Sequence, residues 1–421
     1  MLQRGSQRKL ATYLAAMVFL NGFVAWHSRR GIPSGYPDFS SFYTAARIIH
    51  DGNAARLYDG KLQETVQRSF ASAAVAKRSA ILPYNHPPVE ALLFAPLGRF
   101  SYLTAYLLWL VVNLGLLIGL VLLLRRHFTI LGKEPIYLWL LGCFGFYPIV
   151  VALLQGQDSI LLLFCYSMAF LSLRHKADWR AGAWLGLGLC KFQMVIPFVF
   201  PFFLLRRGRL ILGFLSVAAI LIFAGFLAVG WSGSLSYPRY IMETEQYIWG
   251  GMPNLRGLLF CLVPKAWFRA ARALLVVCSA ALLGAVTYAW SKAYSASSAS
   301  RERAFALSSV ATVLLSYHLY LHDLSVLFLA ILIVFELACS RPAARSWVDV
   351  GVYVCMTALF CSPLYIVLSL KNQQNLQILA GILLVFFLVL MKAASAEAQP
   401  PDAVVFSAAP NSKTSLAHRT P

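Results

Sequence analysis

The chain has 421 residues, of which 59% are hydrophobic and 12% charged, with a mean hydropathy of +0.69. Soluble domains carry about a quarter charged residues, so no water-soluble fold hides this much apolar surface and the membrane must be the solvent. The 36 Lys and Arg against 16 Asp and Glu give a net charge of +20; the cations sit in short clusters between apolar runs, which points to anionic headgroups and membrane orientation, with no nucleic acid.

Taken in chain order, Arg4, Arg8 and Lys9 precede an apolar stretch to Trp26 with no small-residue cleavage site. This predicts a retained first helix that starts in the cytoplasm. Uncharged runs at 101–124, 135–154, 210–230, 351–370 and 376–391 approach or exceed the roughly 20 residues needed to cross a bilayer core. Their Leu, Ala and Gly content lacks the alternation of a barrel strand, which leaves helices. Basic clusters follow at Arg125 to His127, Arg174 to Arg180, Arg206 to Arg209, Lys292 to Arg303 and Arg341 to Arg345. If all are cytoplasmic, the segments between them cross in pairs: 135–154 with 157–173, 210–230 with 268–290, 304–317 with 323–339, and 348–367 with 375–392. Residues 180–205, with Lys191 and Pro197, predict two short or broken helices that re-enter the cytoplasm at Arg206. The expectation is an all-α polytopic membrane protein with about 11 to 13 transmembrane helices in one domain over 1–392. Residues 393–421, with four prolines among small polar residues, read as a disordered cytoplasmic tail.

Four stretches then fall on the outer side: 27–100, 155–158, 231–256 and 316–323. In the first, Phe39, Phe42, Tyr43, Ala46 and Ile49 recur at helical spacing, predicting an amphipathic helix on the membrane surface. Asp38 precedes it and reads most simply as its N-cap, a role that does not exclude chemistry. Lys61 to Arg78 forms a second, basic amphipathic stretch, and Tyr84 to Pro88 re-enters the apolar phase towards Pro96. The eight cysteines contain no CxxC pair and lie mostly inside apolar runs, so they read as small buried hydrophobes. No GxxxxGK[ST] motif occurs, so nucleotide binding lacks support.

Lys191 stands inside an otherwise apolar stretch, where an ionisable residue is a functional candidate or a lysine snorkelling to an interface. Asn254 and Arg256 follow a turn at Gly250 to Pro253 and suit either loop capping or an anion clamp. His318 and His322 are four apart, so a helix would put both on one face, but no third strong ligand is near and a metal site is the weaker reading. Gln155, Gln157 and Asp158 sit in a tight interhelical loop, where capping by Asp158 or Ser159 competes with binding of a polar ligand.

In order along the chain, Asp38 Phe39, Phe42 Tyr43 with Ala45 Ala46, Asp51 Gly52, Leu57 Tyr58 Asp59, and Tyr84 with Pro87 Pro88 resemble the family 87 glycosyltransferases of the GT-C superfamily. Further matches are Gln155 Gly156 Gln157, Lys191 before Pro197, Pro253 to Gly257, and Ser316 to His322. The sequence departs from the family where Asn85 His86 replaces the first proline of Tyr-Pro-Pro and where Arg256 stands in place of Ser. The resemblance implies a GT-C-like bundle and a hexosyltransferase that moves mannose, with inversion, from a polyprenyl-phosphate sugar donor to a glycan or glycolipid acceptor. It implies a catalytic aspartate in the first outer loop, here Asp38, and a polar role for His322. A lipid phosphate is already a stable leaving anion, so one base suffices and no paired acid is needed. Lys191, Arg256, Asn254, His322, His318, Gln157 and Tyr43 are then the candidates for holding donor phosphate or sugar. Metal-independent catalysis with no cofactor is expected, as is contact with membrane lipids, at the outer face of a bacterial cytoplasmic membrane. A lipid-linked glycan flippase and an oligosaccharide ligase or polymerase are the rival readings.

Overall fold

The computed structural model describes residues 3–244, 248–340, 347–370 and 375–397, and every regular element among them is helical. The chain is an all-α polytopic membrane protein. Among the described residues, six helices are long and apolar enough to span a bilayer, or up to eight if each of two bent helix pairs counts as one span. Shorter apolar helices, Ser159–Arg174 and Ile378–Ala394 among them, add to these.

The first helix, α1 (Arg4–Ser28), starts where Gln7 Nε2 donates to Glu134 Oε2 at 2.7 Å. Three helices then form a cap: α2 (Phe39–His50), α3 (Gly60–Arg78) and α4 (Pro88–Phe94). The pattern of 39–49 predicts a helix with one face on the membrane surface. Instead α2 is enclosed on nearly every side, with Phe39, Phe42, Ala45 and Ala46 wholly buried. Its polar face is satisfied inside the cap: Ser40 and Thr44 donate to the Gly35 and Ser40 carbonyls at 2.8 and 2.7 Å, and Gln67 Nε2 donates to Thr44 Oγ1 at 3.2 Å. Buried polar groups with partners cost little, so α3 can cover the side that the sequence leaves to headgroups.

The long apolar α5 (Tyr102–His127) leads away from the cap, and α6 (Ile136–Gly145) and α7 (Tyr147–Gln155) return to it, bent by 68°. Pro148 cannot donate to the carbonyl four residues earlier. That carbonyl, Phe144 O, instead accepts from the buried Asn21 Nδ2 at 2.8 Å. Gly156 closes α7 with a φ of +62°, and a Cβ there would lie 2.8 Å from that of Phe39. Next come α8 (Ser159–Arg174), α9 (Asp178–Leu187), α10 (Phe192–Leu204) and α11 (Gly208–Thr244). The stretch 178–204 turns back on itself at Lys191, so both its ends lie beside the start of α11. There Gly182 and Gly213 bring the backbones together, since a Cβ on either would collide with the Leu210 or Trp179 carbonyl. Small residues at such crossings replace the hydrophobic driving force that lipid does not supply.

The remainder is α12 (Leu255–Leu262), α13 (Phe268–Ser295), α14 (Ser298–Leu315), α15 (Leu327–Cys339), the bent pair α16 (Trp347–Leu359) and α17 (Ser362–Ser369), and α18 (Ile378–Glu397). The last helix runs past residue 393, where the sequence predicts a tail; the remaining tail positions, 398–421, lie outside the described residues.

Contacts sort the basic clusters to one end of the bundle. Arg174 donates to His127 O at 2.6 Å and pairs with Glu302 at 3.3 Å, and Arg207 lies over the Tyr294 ring at 3.1 Å. Glu336 accepts the backbone N–H groups of Thr129, Ile130 and Leu131 at 2.6, 2.8 and 2.8 Å. The cluster 341–345 lies outside the described residues.

Candidate active site

At the opposite end, beneath the cap, four segments converge: the start of α2, the 155–158 loop between α7 and α8, the turn at Lys191, and the 3-10 turn 321–326 that leads into α15. Asp38 occupies the N-cap position of α2, yet its side chain accepts no backbone N–H of that helix. The carboxylate turns instead into the chamber, where Oδ2 accepts from Gln157 Nε2 at 2.9 Å, and it stays 38% exposed. Its backbone N–H donates to Gln155 Oε1 at 3.0 Å. The two glutamines thus fix Asp38 from both sides, and the left-handed Gly156 between them is what lets the loop pass so close to Phe39.

His322 lies between two carboxylates, with Nδ1 3.9 Å from Asp38 Oδ2 and Nε2 3.5 Å from Asp323 Oδ2. Lys191 is buried and pairs with both Asp158 and Asp323, each at 2.9 Å. Asp323 also accepts from Ser159 Oγ at 2.9 Å and from the Tyr320 N–H at 3.1 Å. An ammonium held by two carboxylates in a low-dielectric site is already neutralised. The sequence singles out Lys191 and reads Asp158 as a loop cap or polar-ligand contact; that Lys191 pairs with Asp158 and Asp323 had one signal in the sequence, which is that an ionisable residue inside a membrane requires countercharge.

Other candidates stand elsewhere. Tyr43 is a correction: it is packed inside the cap against Phe70 and Tyr102, and its hydroxyl donates to Phe100 O at 2.7 Å. The Asn254 side chain is occupied at both ends, accepting from Gly257 N at 2.8 Å to cap α12 and donating to Ser316 O at 2.7 Å. Arg256 Nη1 donates to Tyr317 O at 3.0 Å. Both residues tie α12 to the 316–320 loop. That loop is not helical, so His318 does not share a helix face with His322; its ring packs edge-on against Tyr320 at 4.8 Å. Among the described residues, no three His, Cys, Asp or Glu side chains are grouped as a metal site.

The sequence reading also passes over two features. His86 Nδ1 lies 3.0 Å from Glu90 Oε2, and Glu90 is fully buried in the cap. Burial pushes the Glu90 carboxyl up to about 7; the same burial pulls His86 down, but the Glu90 carboxylate outweighs it and the imidazole is raised. The second is a cleft of about 650 Å³ whose lining includes Pro37 and Gln155, the immediate neighbours of Asp38.

The fold and the site define a multi-pass, all-helical membrane protein with a polar side-chain cluster built around a partly exposed carboxylate. The model of glycosyltransferase family 87 matches residues 84–319, more than half of the chain. The chain belongs to glycosyltransferase family 87 and is a membrane glycosyltransferase. Asp38 precedes the matched range, and His322 and Asp323 follow it. No curated protein and no solved structure matches the chain at significant similarity.

Proposed function

We propose that the chain transfers a hexose, mannose by its family resemblance, from a polyprenyl-phosphate sugar to a lipid-linked or cell-envelope glycan, with inversion. The observation that carries this reading is Asp38: a helix-start carboxylate that caps nothing, fixed by Gln155 and Gln157 at the mouth of a polar chamber. In the transfer, an acceptor hydroxyl gives its proton to the Asp38 carboxylate while its oxygen bonds to the anomeric carbon. The bond from that carbon to the phosphate oxygen breaks, and the electron pair leaves with the phosphate. One base is sufficient because the phosphate departs as a stable anion.

Gln157 orients Asp38, and His322 stands where it would stabilise the carboxylate before and after it takes the proton. Lys191 with Asp158 and Asp323 forms a buried triad that keeps the 158 and 323 turns together, a positioning role in place of direct phosphate binding. Arg256, Asn254 and His318 shape the acceptor side through the 316–320 loop. Basic clusters gathered at the far end support a cytoplasmic location for that end and, with it, an active site at the outer face of a bacterial cytoplasmic membrane.

The test is transfer by the purified chain in proteoliposomes supplied with radiolabelled polyprenyl-phosphate mannose and a lipid-linked acceptor. Wild type forms a labelled product and Asp38→Asn inserts normally but forms none. Full transfer by Asp38→Asn sinks the assignment of the base, and translocation of the donor without product by wild type sinks the reaction itself.

A further inference from the structure

The chamber around Asp38 is rich in carboxylates. Lys191 is shared by Asp158 and Asp323, and Asp38 adds a third carboxylate to that one ammonium. A phosphate entering there would meet net negative charge in a poorly screened site. The adjoining cleft has the opposite character. Arg30, Lys77 and His27 line it, and no carboxylate does among the described residues. Its inner wall is apolar, formed by Val24 at the end of α1, by Val151 and Leu154 on α7, and by Leu321. Gln155 belongs to both spaces, since it lines the cleft and holds the Asp38 backbone.

The cationic wall is braced from behind. Arg78 donates to the Gly35 and Tyr36 carbonyls at 2.9 and 2.8 Å, which fixes the loop before Asp38. The Lys77 ammonium and the Arg78 guanidinium both stand near the Tyr36 ring, at 5.4 and 5.5 Å from its centroid. The Arg78 pKa is lowered by burial, partly offset by the nearby Asp38 charge. A cationic mouth, an apolar wall on membrane-spanning helices and a shared edge with the base match one ligand: an anionic head on an isoprenoid chain.

We propose that this cleft holds the donor's phosphate and the first units of its lipid, with Arg30 and Lys77 as the phosphate-binding side chains. The proposal rests on the functional reading above and deepens it. It separates the two substrates: the phosphate on the cleft side of Gln155, the acceptor hydroxyl on the chamber side with the Asp38 carboxylate. Phosphate held by exposed cations at an open groove also leaves room for a bulky lipid that a closed pocket would exclude.

The experiment compares the full chain with the Arg30→Ala/Lys77→Ala double variant and with the charge-preserving Arg30→Lys/Lys77→Arg. Two readouts are taken: thermal stabilisation by polyprenyl phosphate carrying no sugar, and the KM for donor and for acceptor. A charge-assisted hydrogen bond lost at each cation raises the donor KM by about tenfold or more. The alanine double variant loses stabilisation by polyprenyl phosphate and shows that rise, while its acceptor KM and its melting temperature without ligand stay at wild-type values. The charge-preserving variant keeps most of the binding. Inorganic phosphate alone and polyprenol alone stabilise wild type far less than polyprenyl phosphate. Unchanged polyprenyl phosphate binding in the alanine variant overturns the proposal, as does a change confined to the acceptor KM, which would assign the cleft to the acceptor lipid. Because the thermal shift needs no turnover, failure of the glycosyl-transfer reading leaves this binding test intact and distinguishable.

Discussion

The two ends of the bundle use the same residue types for different purposes. At the basic end, Glu336 is spent entirely on backbone, accepting three consecutive N–H groups of the 129–131 turn, and Glu302 pairs with Arg174. At the cap end, Asp38 sits where a helix start invites the same service and declines it, taking one amide hydrogen bond from Gln157 and remaining open to the chamber. A carboxylate that saturates backbone donors stabilises a fold; one held by side chains at a polar opening is available to move a proton. The comparison teaches that position in a helix does not assign a carboxylate's task, but its partners do.

The sharpest way to break this comparison is to remove both charges separately. Asp38→Asn is expected to cut transfer by about 100- to 10,000-fold with its melting temperature unchanged. Glu336→Gln does the reverse, losing about 1–3 kcal/mol of stability while retaining turnover in the surviving folded fraction. If the two variants behave alike in radiolabel transfer and thermal unfolding, the division of labour is wrong.

Breaking the triad comes next. Lys191→Met leaves two buried carboxylates without their cation and costs roughly 3–5 kcal/mol, read as a lower unfolding temperature in detergent. Pairing it with Asp158→Asn and Asp323→Asn recovers much of that loss if the triad is structural, and an unfolding temperature as low in the combined variant as in Lys191→Met would count against that role. A smaller effect is expected at the loop between the glutamines. Gly156→Ala puts a Cβ into a left-handed residue and against Phe39, costing about 1–3 kcal/mol, and lowers transfer more than its stability loss explains, because Gln155 and Gln157 lose their grip on Asp38.

The cap supplies a pH-dependent version of the contrast. Burial raises the Glu90 carboxyl from 4.5 to about 7, so the folded state holds that proton more tightly than the unfolded chain does. Its contribution to stability is therefore complete below about pH 4.5 and is lost as pH rises through 7. Glu90→Gln cannot ionise, and unfolding temperatures measured between pH 4.5 and 8 should show a flatter profile than wild type; an unaltered slope would show that another group sets it. The smallest effect is the one expected of chelation: EDTA treatment should leave transfer where it was.

What the sequence determines is the part of this protein that follows from composition and local pattern. Apolar runs without alternation commit the backbone to helices, since a bilayer satisfies no exposed N–H or C=O. The position of Lys191 within 180–205 marks the turn between α9 and α10, because a charge cannot rest in the middle of a continuous lipid-facing helix. The residues with unusual chemistry are also visible, in order, from Asp38 to His322. The periodicity of 39–49 is legible too, but not what covers its polar face, since Gln67 arrives from a different helix.

Only the tertiary structure decides which of those residues meet. Gln157 reaches Asp38 across 119 positions and Ser159 reaches Asp323 across 164, separations at which no local rule operates. Packing turned Lys191 from an apparent anion clamp into the centre of a triad with Asp158 and Asp323, sent Tyr43 into the cap, and set Arg30 and Lys77 beside the Asp38 loop. Charges acquire their function from the neighbours that folding brings within a few ångströms in a low-dielectric interior, and no local pattern along the chain reveals which neighbours those are.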